Sequence, residues 1–500
     1  MRPIDSTIFF VYLAFTVLLG VAFARRREDS EGFFLAGRSM GWLPVGLSVM
    51  ATAFSAMHYV AFSGEVFRHG LYVALSVPVF AMVAWPITRI VMPFYHSMRL
   101  TSAYEYLERR FDVRVRCLAS ALFVVWRIFW MATALYASCK VLGLITHINI
   151  HTLIVLAGAA AIVYTVVGGM RAVMWTDVAQ FFVLFGGLVV GVAVAASRTS
   201  GGWGGMMRTA AEGGCLKPFY PFDPQMFSFD PRVRITLWSA WIGTMTMFLA
   251  RYGADQVVVQ RYFAAKSLKT AQRGFRLNYV CAIATLTCLA FLGFAIHAHA
   301  SAAGMVGVKG LKPIHHFTSF VRTLPYGLCG LLLAGLFAAT MSSVDSGMNS
   351  CSAALATDFY ARLTGRAPSP WLNRGLTFAL GAGATAMACY VGRLGSIFEI
   401  ASKIVNGFGS PLLALFVLGM FSRRANAWGM LVGGALGAAG SAWVSFTVKP
   451  LALHYYAVVN LVGTLGVCYG LSLLFAAFGA GSTDEQVGWM WSKRDDGMTG

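Results

Sequence analysis

The sequence predicts an all-α polytopic membrane protein, and three observations carry that expectation. Of 500 residues, 58% are hydrophobic and only 12% charged. Apolar runs of about 20 residues, each long enough to cross a hydrocarbon core, recur from end to end. A soluble chain of this length shows amphipathic periodicity and roughly twice this share of charge. Thirdly, two of the runs are interrupted by small and polar residues in a way that suits helices broken inside a membrane.

Thirteen spans are expected, near 7–24, 43–66, 72–95, 117–146, 151–168, 174–197, 235–260, 275–298, 325–360, 373–392, 395–421, 426–447 and 453–477. The first ends in Ala24-Arg25-Arg26-Arg27 without a small-residue cleavage site and starts after a nearly uncharged tip, so it reads as a retained span, not a signal peptide. The second holds Ser48-Val-Met-Ala-Thr-Ala-Phe-Ser-Ala-Met-His58 and the seventh Arg251-Tyr-Gly-Ala-Asp-Gln256. These are the two interruptions, and they lie five spans apart. Unwound backbone at such points frees carbonyl oxygens, which is tolerated where they face a cavity. Glu399 and Lys403, at i and i+4 in the eleventh span, read as a structural ion pair.

With the N-terminus outside and thirteen crossings, the C-terminus lies inside. Loops then assigned inside, among them Arg99–Arg116 and Arg261–Arg276, carry roughly 22 Lys and Arg against about 12 outside. The net charge of +19 is thereby accounted for without nucleic acid. His297, His299, His315 and His316 fall at span ends or in loops and are expected to be solvated. The nine cysteines show no metal-ligand spacing and read as small core residues.

The ninth span contains Gly335-Leu-Phe-Ala-Ala-Thr-Met-Ser-Ser-Val-Asp-Ser-Gly-Met-Asn-Ser350. At helical spacing Ser342 lies beside Asp345 and Ser346, and those two beside Asn349. A carboxylate among hydroxyls at membrane depth marks a binding site, and an all-oxygen donor set suits a small hard cation. Small residues at these positions also serve close helix packing, so both readings stay open at this level.

Five stretches in order make the chain similar to the sodium/solute symporter family: Phe34–Trp42, Thr101–Phe111, Gly168–Gln180, Asp255–Lys266 and Gly335–Ser350. The resemblance spans about residues 5–425, and Thr101–Arg114 looks most like the bacterial sodium/sialic-acid branch. It implies a five-plus-five inverted-repeat, LeuT-like core at 43–421, preceded by one extra span and a loop (1–42) and followed by two extra spans (422–479) and a cytoplasmic tail (480–500). It also implies a first sodium site made by the carbonyls of Ala51, Phe54 and Ala339 with the hydroxyls of Ser342 and Ser343. Residues 339, 342 and 343 stand at i, i+3 and i+4, a spacing that lets them converge. A second sodium site, found in some members, maps onto Asp177, Ser342, Asp345 and Ser346. Asp177 can instead cap a helix after the Gly168-Gly169 turn, and Asp345 can pair with a basic residue.

The resemblance places the solute at the midplane beside Thr52, Ser55, His58 and Tyr59 of the first core helix, Trp126, Arg127 and Trp130 of the third, and Phe248, Arg251 and Tyr252 of the sixth. A sugar is disfavoured, because Ala53, Phe248 and Ala282 stand where sugar carriers of the family have polar residues. Arg127 and Arg251 either clamp a carboxylate or pair with internal acids such as Asp177, Asp345 and Asp255.

The expected function is sodium-coupled import of a small polar solute, an organic anion or carboxylate, across the plasma (inner) membrane. Sodium, the solute and the lipid bilayer are the expected partners, and no cofactor is expected beyond coupling sodium ions. A proton-coupled symporter and a non-transporting solute sensor are the alternatives. No nucleophile–base pair or metal-ligand cluster suggests an enzyme.

Overall fold

In the computed structural model, which describes residues 2–22, 30–308, 310–394, 403–448, 452 and 454–491, the regular secondary structure among the described residues is helical apart from isolated β-bridges. In chain order the helices are α1 (Pro3–Ala22), α2 (Trp42–Ala53), α3 (Ala56–His69), α4 (Leu71–Ser97), α5 (Val113–Thr146), α6 (Ile150–Arg198), α7 (Thr244–Gly253), α8 (Gln256–Ala264), α9 (Leu268–Ala302), α10 (Pro313–Thr323), α11 (Leu328–Ala354), α12 (Pro370–Val391), α13 (Ser410–Phe421), α14 (Ala427–Thr447) and α15 (Tyr455–Ala477). Among the described residues eight helices are individually long and apolar enough to cross a membrane, and α2 with α3 forms a further, bent pair. The Glu399–Lys403 pairing lies in part outside the described residues.

Both interruptions are real breaks with chemical causes. α2 stops at Ala53, Phe54 adopts extended backbone, and α3 restarts at an angle of 61°. Ser55 caps that restart. Its hydroxyl accepts from the Met57 N–H at 3.3 Å, and the Ser55 N–H donates to Nδ1 of His58 at 3.1 Å. The second break separates α7 from α8. Asp255 is extended there and caps α8 by accepting from the Val257 N–H at 3.0 Å.

The division the sequence suggested between spans at 151–168 and 174–197 is present as a kink: α6 is two helical segments joined at Gly169, whose backbone is non-helical. Its φ of +59° is the left-handed region that favours glycine. A Cβ there would also approach the Phe33 carbonyl oxygen to 3.1 Å. Asp177 consequently lies in mid-helix and caps nothing.

α11 is the centre of the molecule. All of its residues except Leu331 are buried, and it packs on α5, α6 and α2. A helix enclosed on every side cannot turn its polar stripe towards water, so the stripe must be satisfied inside. α1 joins this centre through Asp5, which is buried and accepts from the N–H groups of Gly327 and Gly330 at 2.9 and 3.0 Å, capping the start of α11. Two of the histidines expected in solvent are buried: His297 and His316 both pack on the Phe67 ring.

Candidate functional site

The break after Ala53 leaves the carbonyls of Ala51, Thr52 and Phe54 without helical partners, and they meet the middle of α11. The hydroxyl of Ser342 donates to the Ala51 oxygen at 2.9 Å and lies 3.1 Å from that of Ala339. The hydroxyl of Ser343 lies 3.1 Å from the Ala339 oxygen, 3.3 Å from that of Phe54 and 3.5 Å from that of Thr52. Thus all five residues implied for the first sodium site come together. Thr52 adds a carbonyl that sequence reasoning missed. Each side-chain hydroxyl has several carbonyls and only one proton, so the cluster is rich in acceptors, as a hard cation requires.

One turn further along α11 the residues implied for a second site also assemble, but with an additional occupant. Ser48 donates to Asp177 Oδ2 at 2.5 Å, and Ser346 lies 3.5 Å from the same oxygen. Ser346 donates to Asp345 Oδ1 at 3.2 Å, and Tyr164 donates to Asp345 Oδ2 at 3.0 Å. Arg261, placed by the sequence in a loop, is instead fully buried in α8. Its guanidinium forms an ion pair with Asp177 at 3.0 Å and hydrogen bonds to Ser48 at 2.6 Å and to Ser346. The available signal was position: Arg261 falls one turn beyond Val257 within an apolar helix, where a charge needs a partner.

The breaks also border a cavity. Six of the ten residues implied for solute binding line it: His58, Trp126, Trp130, Phe248, Arg251 and Tyr252. Sequence reasoning did not single out Met57, Phe80, Thr244 and His454, which line it too. The other four residues lie elsewhere. Thr52 sits between Ser48 and Ser346, bonding to them at 2.7 and 3.1 Å. Ser55 is occupied as a cap. Tyr59 donates to the Leu184 carbonyl at 2.6 Å. Arg127 forms a buried ion pair with Asp255, so its charge is spent within the protein.

The second arginine differs. Among the described residues Arg251 has no carboxylate partner, its Nε lacks any hydrogen bond, and its guanidinium lies 5.0 Å from the centre of the Trp130 ring. The indole N–H groups of Trp126 and Trp130 and the hydroxyl of Thr244 are likewise buried without a protein partner. No Asp or Glu lines the cavity. The Tyr252 hydroxyl and Nδ1 of His454 are also without a partner there, and of the unpaired groups the arginine and indole nitrogens can only donate.

A broken-helix core with an oxygen-rich cluster at the first break and a cavity beside both breaks is the architecture of a secondary transporter of the LeuT-like class. Within that class the chain belongs to the sodium:solute symporter family, whose model matches residues 33–437. It is 30% identical over 452 residues to the human sodium-coupled monocarboxylate transporter 1, covering 88% of this chain and 73% of that one. Identity to the Proteus mirabilis sodium/sialic acid symporter SiaT is 28% over 492 residues, covering 95% and 92%. A solved structure of a sodium-coupled sialic acid symporter, substrate-bound and outward-open, matches with a TM-score of 0.86 at 27% identity over 96% of this chain and 99% of that one. The transporter Mhp1 shares the fold with a TM-score of 0.58 at 15% identity, covering 92% of this chain and 96% of that one.

Proposed function

We propose that this sodium-coupled symporter imports a small monocarboxylate with an apolar body. The observation that carries the reading is the donor-rich cavity, in which, among the described residues, Arg251 is a cation without a carboxylate partner. A carboxylate has two acceptor oxygens and one negative charge, and guanidinium binds it bidentately. The indole N–H groups of Trp126 and Trp130 and the Thr244 hydroxyl add donors nearby. Met57, Phe62, Phe80, Phe248 and Leu286 offer the solute an apolar wall. A sugar would need several acceptors from the protein for its own hydroxyl protons, and the cavity has few. The kinship with monocarboxylate transporters supports the same solute class.

Sodium is proposed to bind first, between Ala51, Thr52, Phe54, Ala339, Ser342 and Ser343. It would hold α2 against α11 and so fix the position of the break that forms one side of the cavity. By linkage the solute then tightens sodium binding by the same factor. The bias of basic residues supports an orientation with the N-terminus outside and the C-terminus inside, and an inward sodium gradient across the plasma (inner) membrane would then drive import.

Uptake into proteoliposomes tests this reading. An inward sodium gradient should drive accumulation of small apolar carboxylates such as lactate or benzoate, and not of their neutral amides. Arg251→Gln should reduce carboxylate uptake about 10- to 150-fold, the value of a charge-assisted hydrogen bond of about 1.5–3 kcal/mol. Arg251→Lys should keep part of it, since the charge remains and the planar fork does not. Uptake of the neutral amides, unaffected by Arg251→Gln, would overturn the assignment.

A further inference from the structure

Two carboxylates, Asp177 and Asp345, lie within the bundle at the second cluster, and a single guanidinium faces them. We propose that Arg261 acts as a tethered cation in the second sodium site, so that this carrier binds one sodium ion, at the first site, and not two. The inference rests on the sodium-symport reading above and concerns how many ions that mechanism uses.

The first argument is occupancy. The guanidinium of Arg261 holds two of the four residues implied for a second sodium, Asp177 Oδ2 at 3.0 Å and the hydroxyl of Ser346, and it also holds the neighbouring Ser48 hydroxyl at 2.6 Å. Its remaining nitrogen donates to the Val257 carbonyl of its own helix at 2.5 Å. That anchor keeps the head from swinging aside. Arg261, Asp177, Ser48 and Ser346 are all fully buried, so the guanidinium is out of contact with bulk solvent.

The second argument is charge. Asp177 and Asp345 contribute two negative charges and Arg261 one positive. Sodium at the first site, whose ligand Ser342 is three residues from Asp345 on α11, brings the sum to zero. A second sodium would leave one unbalanced positive charge at membrane depth, where an uncompensated ion is expensive. The Arg127–Asp255 pair is already neutral and does not alter the sum.

The oxygens themselves do not exclude a second ion. Asp177 Oδ1 has no hydrogen-bond partner, and neither polar atom of Gln180, three residues on, has one. Gln180 is itself 1% exposed. Removing the guanidinium should therefore expose a functional cation cage, not a collapsed one. Arg261 is then a residue that sets ion number without being a sodium ligand.

Equilibrium binding of radioactive sodium to the purified full-length chain tests this without knowledge of the solute. The wild type should bind one sodium per chain, and Ser343→Ala should weaken that binding about 10- to 150-fold. Arg261→Gln should bind two, and its melting temperature should rise more steeply with sodium concentration than that of the wild type, because each ion bound to the folded state adds stability by mass action. Arg261→Lys keeps the charge and should bind one. Two sodium ions on the wild type, falling to one in Asp177→Asn, would overturn the proposal while leaving sodium symport intact. Failure to bind any sodium would overturn both. Should Arg261→Gln not fold, the wild-type count and the Asp177→Asn comparison still decide.

Discussion

Ser343 shows how a residue of modest chemistry acquires a strong role from its surroundings. Its hydroxyl stands within 3.5 Å of three carbonyl oxygens on two helices. A cation there replaces weak hydroxyl–carbonyl contacts with direct ion–oxygen ones. Removing one such ligand should cost about 1.5–3 kcal/mol, by analogy with hydrogen bonds to charged groups. Ser343→Ala is therefore expected to raise the sodium concentration for half-maximal uptake about 10- to 150-fold. Sodium titration of uptake in proteoliposomes measures this, and an unchanged midpoint would place the ion elsewhere. Part of this cluster was legible in the sequence: spacing puts residues 339, 342 and 343 on one helix face, while the carbonyls of Ala51 and Phe54 came only from the family resemblance. Arg261 was not legible. Its partners Ser48, Asp177 and Ser346 come from three helices distant in sequence, and only tertiary packing reveals that they converge on it. The same holds for Arg127 and Arg251. Sequence offered two arginines of equal standing, and the presence of Asp255 beside one of them separates their roles.

The broken helices are the elements on which the site depends, and their ends are built from short-range chemistry. Ser55 and His58 cap α3 reciprocally, so the break is held in place by its own first turn. Ser55→Ala should lower stability by about 1 kcal/mol, as loss of a helix cap does, visible as a lower melting temperature. The backbone N–H of residue 55 is kept in this variant, so His58 retains that bond and solute affinity should stay close to that of the wild type. Both breaks could be read from the sequence because small and polar residues interrupt apolar runs. The kink in α6 could be read in the same way, because Gly168-Gly169 interrupts the run where the two helical segments meet.

Outside the spans, the short helix Glu105–Arg110 is tied to its neighbours by Glu108. This carboxylate accepts from Arg116 at 2.7 Å and also pairs with Arg362. Partial burial pushes its pKa up, but the two guanidinium groups outweigh that, and the net shift is downward from 4.5. A folded-state pKa below the unfolded one means that the stabilisation is complete above about pH 4.5 and is lost as pH falls through the depressed value. Glu108→Gln should therefore flatten the acid limb of a plot of melting temperature against pH. Identical acid limbs for variant and wild type would show that the pair contributes nothing.

At the scale of the whole molecule, internal charge balance links the solute site to the ion site. With its sites unfilled, the interior holds Asp177 against Arg261 and Asp255 against Arg127. Asp345 remains as one negative charge near the first sodium site, and Arg251 as one positive charge at the cavity. Each site thus carries the charge opposite to that of its proposed ligand. When one sodium and one monocarboxylate bind, the positive and negative ligands are added together and the net interior charge is unchanged. The loaded carrier then crosses its transport cycle with no net movement of ligand charge. One elementary charge moved through 100 mV corresponds to about 2.3 kcal/mol, or roughly a 50-fold change in the attainable solute gradient. Imposing an inside-negative potential of that size with potassium and valinomycin should accordingly leave steady-state monocarboxylate accumulation in wild-type proteoliposomes unaltered at a fixed sodium gradient. In Arg261→Gln, which should carry a second sodium, the same potential should raise accumulation by roughly that factor. A strong potential dependence of the wild type would show that more than one sodium travels with each carboxylate, and that Arg261 leaves its seat during the cycle.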